Sequence, residues 1–171
     1  QGIKDAIIGL KSLAKSPYIV GSDIIGEEIN DIMDLKDVIK ELVEYTIKED
    51  KYFTIRIHAG ENDSFSNNVY DSIKCVKEAL IAKAIREGKS VDKLVYPKVR
   101  IGHGLYSNND NEVDKRRLLD IMKESEAIIE FQLSSNVRLN NLTDLENHPI
   151  KQYIDYGVNC VQGTDGCGMY G

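Results

Sequence analysis

The chain has no tryptophan, and only three cysteines, three prolines and three histidines in 171 residues. Each scarcity excludes something. Cys75, Cys160 and Cys167 are odd in number and form no CxxC pair. That argues against a disulfide framework and against a cysteine-rich zinc site, so a reducing, cytoplasmic setting is expected. No apolar run approaches the roughly 20 residues of a membrane span. The opening QGIKDAIIGLKSLAK repeats its apolar positions at helical spacing, unlike the unbroken core of a signal peptide. Positive charge is also short: 22 Lys and Arg against 28 Asp and Glu leave a net charge of -6. Nucleic acid and anionic membrane, which both want a basic surface, are therefore not expected partners. A small neutral or cationic ligand stays open.

What is present is alternation. Helical periodicity over 2–15, 35–49, 67–87, 112–125 and 149–156 is interleaved with apolar, β-branched runs at 18–26, 52–60, 98–104, 127–136 and 158–166. The spacing predicts helix stripes such as Val69, Ile73, Val76, Leu80 and Ile85, with Gly88 as the stop and Pro149 in a first helical turn. Residues 1–171 read as one domain of α/β class, with βα units around a parallel sheet whose strands are buried on both faces.

Polar letters collect where the strand patterns run out. Asp23 and Gly26 end the first, His58 and Glu61 the second, His103 the third, Ser134 to Asn136 the fourth, Thr164 and Asp165 the fifth. In a (β/α) barrel the active site is built from such C-terminal strand ends. Taken singly, a strand-end histidine is more often structural. Here two of the three histidines sit at strand exits, each followed within two residues by glycine. His148, before Pro149, reads as a cap or packing residue. Ser134 and Ser135 form a polar turn, and Asn136 either caps it or touches a ligand. The cysteines have no nearby base in sequence and read as packing residues.

In order, VGSDIIGEE, HAGE, RIGHG, SSN, HPI and GTD resemble the second half of the adenosine deaminase family, zinc-dependent purine deaminases on a (β/α)8 TIM barrel. The resemblance runs from Val20 to Asp165. It implies zinc as cofactor and a purine nucleoside as substrate. His58 and Asp165 are then metal ligands, on a zinc that lowers the pKa of its water to about 7. Glu61 would be the acid that protonates purine N1, His103 the residue that orients or deprotonates the attacking water, and Gly26 and Asp23 substrate-binding residues. Ala59 and Gly60 would leave room for the substrate.

The pattern departs from the family in two places. Gly166 follows Asp165 where the family carries a second Asp that contacts the purine. No His-x-His is present to supply the two further zinc ligands of the family's first strand. The five strand patterns are therefore expected to be barrel strands four to eight, without the first three strands or the closing helix. Such a portion is expected to self-associate through its free edges and to need the missing N-terminal half for activity. Gly166 keeps open a metal hydrolase of the same superfamily acting on another aminated purine or a nucleotide. A non-catalytic barrel relic serving as a binding domain is the remaining reading.

Overall fold

The computed structural model describes residues 2–13, 15–25, 28–48, 53–107, 111–138 and 142–170. Strands β1 (Gly21–Ile24), β2 (Thr54–Ala59), β3 (Lys98–His103), β4 (Ile128–Gln132) and β5 (Asn159–Gly163) lie in chain order in one sheet. Every neighbouring pair is parallel. Helices α1 (Gly2–Leu13), α2 (Lys36–Lys48), α3 (Asn68–Arg86), α4 (Glu112–Glu124), α5 (Leu133–Arg138), α6 (Ile150–Tyr156) and α7 (Cys167–Tyr170) complete it. Consecutive parallel strands joined by helices are the arrangement of a partial (β/α) barrel.

Local chemistry sets the helix ends. The Asn111 side chain accepts the Asp114 N–H at 2.9 Å and caps α4, and Asp31 accepts the Met33 N–H at 2.9 Å to open a 3₁₀ turn over Ile32–Leu35. Gly157, at φ 83°, ends α6 in the left-handed conformation that glycine adopts at least cost. The core lies between the helices and one face of the sheet. Val38, Ile39, Leu42 and Val43 of α2 and Val69, Ile73, Val76 and Leu80 of α3 are buried against Ile55, Ile57, Val99, Ile101, Ile129 and Phe131.

Four expectations change. The strands are not apolar on both faces. In β2 the pattern alternates, with Ile55, Ile57 and Ala59 buried under the helices and Thr54, Arg56 and His58 turned the other way. The second face is polar because it carries the charged and ligand-type residues described below. The run 18–20 is not strand: β1 starts at Gly21, and Tyr18 is 90% and Val20 66% exposed, because β1 pairs on one side only among the described residues. The fourth strand stops at Gln132, and Ser134, Ser135 and Asn136 form the start of α5. Ile85 is 67% exposed, since twelve residues beyond Ile73 the helix has rotated about 120° away from the buried stripe.

The exits of β2 and β3 are laced together. Gly104 N–H donates to Ala59 C=O at 2.9 Å, and Tyr106 N–H to Gly60 C=O at 2.8 Å. Gly104 has φ 62°, and a Cβ there would come within 2.3 Å of Ile129 Cδ1. Gly88 has a similar φ of 65° but open space around it. Gly104→Ala is therefore expected to cost about 2–4 kcal/mol, the sum of overpacking and the left-handed backbone. Gly88→Ala meets only the backbone cost, about 1 kcal/mol. Urea denaturation of the two variants checks the difference, and equal losses would contradict the packing argument.

Candidate active site

The strand exits bring His58, Glu61 and His103 together. One donor atom from each lies within 4.8 Å of the others. His58 Nδ1 is 3.2 Å from His103 Nε2, and Glu61 Oε2 is 3.5 Å from the same nitrogen. The two rings meet edge to face, with centroids 5.0 Å apart. His58 leaves β2 on its polar face. His103 takes a φ of 74°, so the chain bends sharply where β3 ends, a strained conformation of the kind that collects at functional sites.

Around His58 runs a chain of ions across the sheet. Arg56, two residues earlier and so on the same face, donates to His58 Nε2 and reaches Asp23 Oδ2 at 2.6 Å. Its Nε meets Glu130 Oε2 at 2.9 Å, and Arg100 pairs with the other oxygen of Glu130. Asp23 Oδ1 in turn lies 3.4 Å from His58 Nε2. Gly102 lets Arg56 lie across β3, because a Cβ there would sit 3.2 Å from the guanidinium and 3.5 Å from the His58 ring.

Arg56 has only donors, so its contact with His58 Nε2 is one in which the ring nitrogen accepts. His103 Nδ1 is buried and has no hydrogen-bond partner among the described residues. Burial, and then the Arg56 charge, lower the His58 pKa. Burial, and then His58, lower that of His103 to about 4. Burial raises the Glu61 pKa, helped by Asp165 and Glu28. Two neutral imidazoles and a carboxyl group, with one donor atom from each within 4.8 Å of the others, make a donor set that fits a divalent metal. These donors do not single out zinc.

Asp165 stands at the exit of β5 with φ 66°, and its N–H donates to Gln132 Oε1 at 2.9 Å. Its charge acts on His58, Glu61 and His103, although its carboxylate stands outside their three-donor group. Asp23 is beside His58, as above. Gly26 lies outside the described residues. Ala59 and Gly60 do not make room for a ligand. Ala59 is fully buried, and a Cβ on Gly60 (φ 80°) would come within 2.7 Å of Tyr106 O. They serve the fit of the turn.

His148 is structural. Its Nδ1 accepts the Ile150 N–H at 3.1 Å, its Nε2 lies 3.2 Å from the Asn136 amide, and its ring meets Phe131 edge-on at 4.9 Å. With Nδ1 accepting, Nε2 bears the ring proton, and the pair is satisfied when Asn136 presents its oxygen. Asn136 is thereby committed to packing.

The residues that sequence reasoning passed over are Arg56, Arg100, Glu130 and Glu28. A signal existed for two of them. Arg56 shares the face of His58 by strand period, and Glu130 is a lone charge inside the apolar run AIIEF.

The family model described as adenosine deaminase matches residues 7–171. Adenosine deaminase of Plasmodium falciparum (isolate 3D7) is 31% identical over 144 residues, 77% of this chain and 37% of that protein. Adenosine deaminase of Pseudoalteromonas translucida (strain TAC 125) is 27% identical over 174 residues, 96% of this chain and 50% of that protein. Adenosine deaminase of Plasmodium gallinaceum is 29% identical over 153 residues, covering 88% and 33%. The chain thus spans a third to a half of the length of these relatives.

The lowered pKa of His103 has a consequence for stability. Its folded value, about 4, lies below its ordinary 6.5. As pH falls below 6.5, the unfolded imidazole takes up a proton that the folded one refuses, so stability drops until pH reaches about 4. In metal-free protein, the His103 ring signals should stay those of a neutral imidazole down to about that pH in an NMR titration. A midpoint near 6.5 would overturn the burial argument.

Proposed function

The chain belongs to the adenosine deaminase family, and from that premise we propose that it carries the catalytic rim of a zinc-dependent hydrolase converting adenosine to inosine and ammonia. One observation carries the reading: two neutral histidines and a carboxyl group held toward its protonated form converge at adjacent strand exits. Aminopurine hydrolysis needs a proton given to the ring and another taken from water.

In this proposal His58 and Asp165 would hold the metal. When bound, such an ion acts as a Lewis acid that brings the pKa of water to about 7. Glu61, whose pKa is raised by burial and then by Asp165, would give a proton to purine N1, making C6 electrophilic. Neutral His103 would take the proton of the attacking water at Nε2, the nitrogen that faces His58 and Glu61. Asp23 and Gly26 would contact the substrate.

Gly166 leaves the purine without the family's second Asp and keeps another aminated purine or a nucleotide as the second reading. The surroundings favour an uncharged nucleoside. Beside His58 opens a cavity of about 300 Å³ lined by Ile24, Ile25 and the carboxylates Glu28, Asp31 and Asp34. A phosphate there meets like charge, and the nearby Arg56 and Arg100 are already paired with Asp23 and Glu130. No described helix is long and apolar enough to cross a membrane. The three free thiols fit the cytoplasmic setting that we propose.

The test is inosine formation by the full-length protein with adenosine, adenine and AMP offered separately. Adenosine is expected to be preferred, and Glu61→Gln to lower kcat by about 10²–10⁴-fold. Turnover of AMP alone would hand the result to the second reading. Residues 1–171 by themselves are expected to show no turnover, because a catalytic zinc wants about three protein ligands and the proposal draws two from this chain. Turnover by this segment that disappears in Glu61→Gln would refute the two-ligand account.

A further inference from the structure

Residue Glu28 belongs to the loop between β1 and α2, not to any strand exit that bears a proposed catalytic group. Its carboxylate nevertheless accepts three consecutive backbone N–H groups from the turn after β2: Gly60, Glu61 and, at 2.8 Å, Asn62. Gly60, at φ 80°, turns the chain so that these donors converge. Converging N–H groups of this kind form a nest that binds anions. Here the anion is a side chain of the same protein. A second tie runs beside it. Asn68, the first residue of α3 and 3% exposed, accepts the Ile32 N–H at 3.0 Å and donates to Asn30 C=O at 3.1 Å. Glu28 and Asn68 thus brace the β1–α2 loop against the turn that carries Glu61.

We propose that Glu28 is a positioning residue: by filling the nest at the exit of β2 it fixes the backbone of Glu61, and so the place from which the Glu61 carboxyl reaches its substrate. The inference rests on the proposed role of Glu61. The lacing to β3 holds Ala59 and Gly60 through their carbonyls, and Glu28 holds the N–H groups of the same turn. Gly60 packs closely on Tyr106, whereas the Glu61 side chain is about a third exposed, at 32%. Without Glu28, three N–H donors lose a charged acceptor and the turn is free to drift. Misplacement of a reacting group by about 1 Å can cost about 100-fold in rate.

The experiment compares Glu28→Ala and Glu28→Gln with the parent in the full-length protein, by amide hydrogen exchange, metal content and steady-state kinetics on adenosine. Glu28→Ala is expected to speed exchange at Gly60, Glu61 and Asn62 by on the order of tenfold, with Ile57 and Ile101 unchanged. It should lower kcat by about 100-fold with KM held within about twofold and bound metal unchanged. Glu28→Gln keeps one acceptor oxygen and should restore part of both effects. If Glu28→Ala fails to fold, the near-isosteric Glu28→Gln carries the comparison, with a loss of about tenfold in kcat. Unchanged exchange at the three amides would overturn the brace. Faster exchange with undiminished kcat would overturn the positioning role. An inactive parent whose variant shows faster exchange would refute the deaminase reading and leave the brace standing.

Discussion

Glu130 is a carboxylate on a central strand, its side chain 9% exposed, and the polar face of the sheet depends on keeping it paired. Removing one partner of a buried pair typically costs about 3–5 kcal/mol, because the remaining charge is stranded. Glu130 therefore holds Arg56 and Arg100, one on each oxygen. Arg56, so held, spans from Glu130 on β4 to Asp23 on β1 and passes His58 on the way. Within this chain of ions two acids and two bases cancel. The ring orientation of His58 is a by-product of that balance.

The same strands meet the opposite demand on their other side. Ile55, Ile57 and Ala59 are fully buried under the helices, and Val99, Ile101, Ile129 and Phe131 continue the layer. Because side chains alternate with a period of two, each strand serves both faces and neither register can slip. His103 shows the tension. It ends β3 among buried residues, is 1% exposed, and reaches His58 only by taking a positive φ. Desolvation then keeps it neutral. Strain and burial at one residue produce a neutral imidazole whose Nε2 faces His58 and Glu61.

The elements were legible in the sequence because their signals are local. Strand and helix periods and the Gly88 stop lie within a few residues of what they control. His58, Glu61 and His103 were legible because each stands at a strand end, and parallel strands in chain order put those ends on one rim. What was not legible depends on pairing across the sheet. Arg56 reads as an ordinary strand charge until Glu130, seventy-four positions away, is beside it. Ser134 to Asn136 read as a strand end, but the chain had already turned into α5 at Leu133. Asn136 is claimed by His148, a partner that no local pattern predicts. Glu28 was hidden for the same reason, since its partners are the backbone of a distant turn and carry no residue signature.

Glu28 and Glu61 show how one neighbourhood prepares two carboxyl groups differently. Burial raises the pKa of both. Glu28 has the N–H groups of Gly60, Glu61 and Asn62 pulling it back toward ionisation. Glu61 has no donor opposing burial, and the charges of Asp165 and of Glu28 itself add to its rise. The charge of Glu28 is one of the influences that raise the Glu61 pKa. A single carboxylate thereby does two things to its neighbour, holding its backbone through hydrogen bonds and raising its pKa through charge. What separates the two is the set of influences that oppose burial. That set follows from one difference: which of the two carboxyls faces a row of backbone amides.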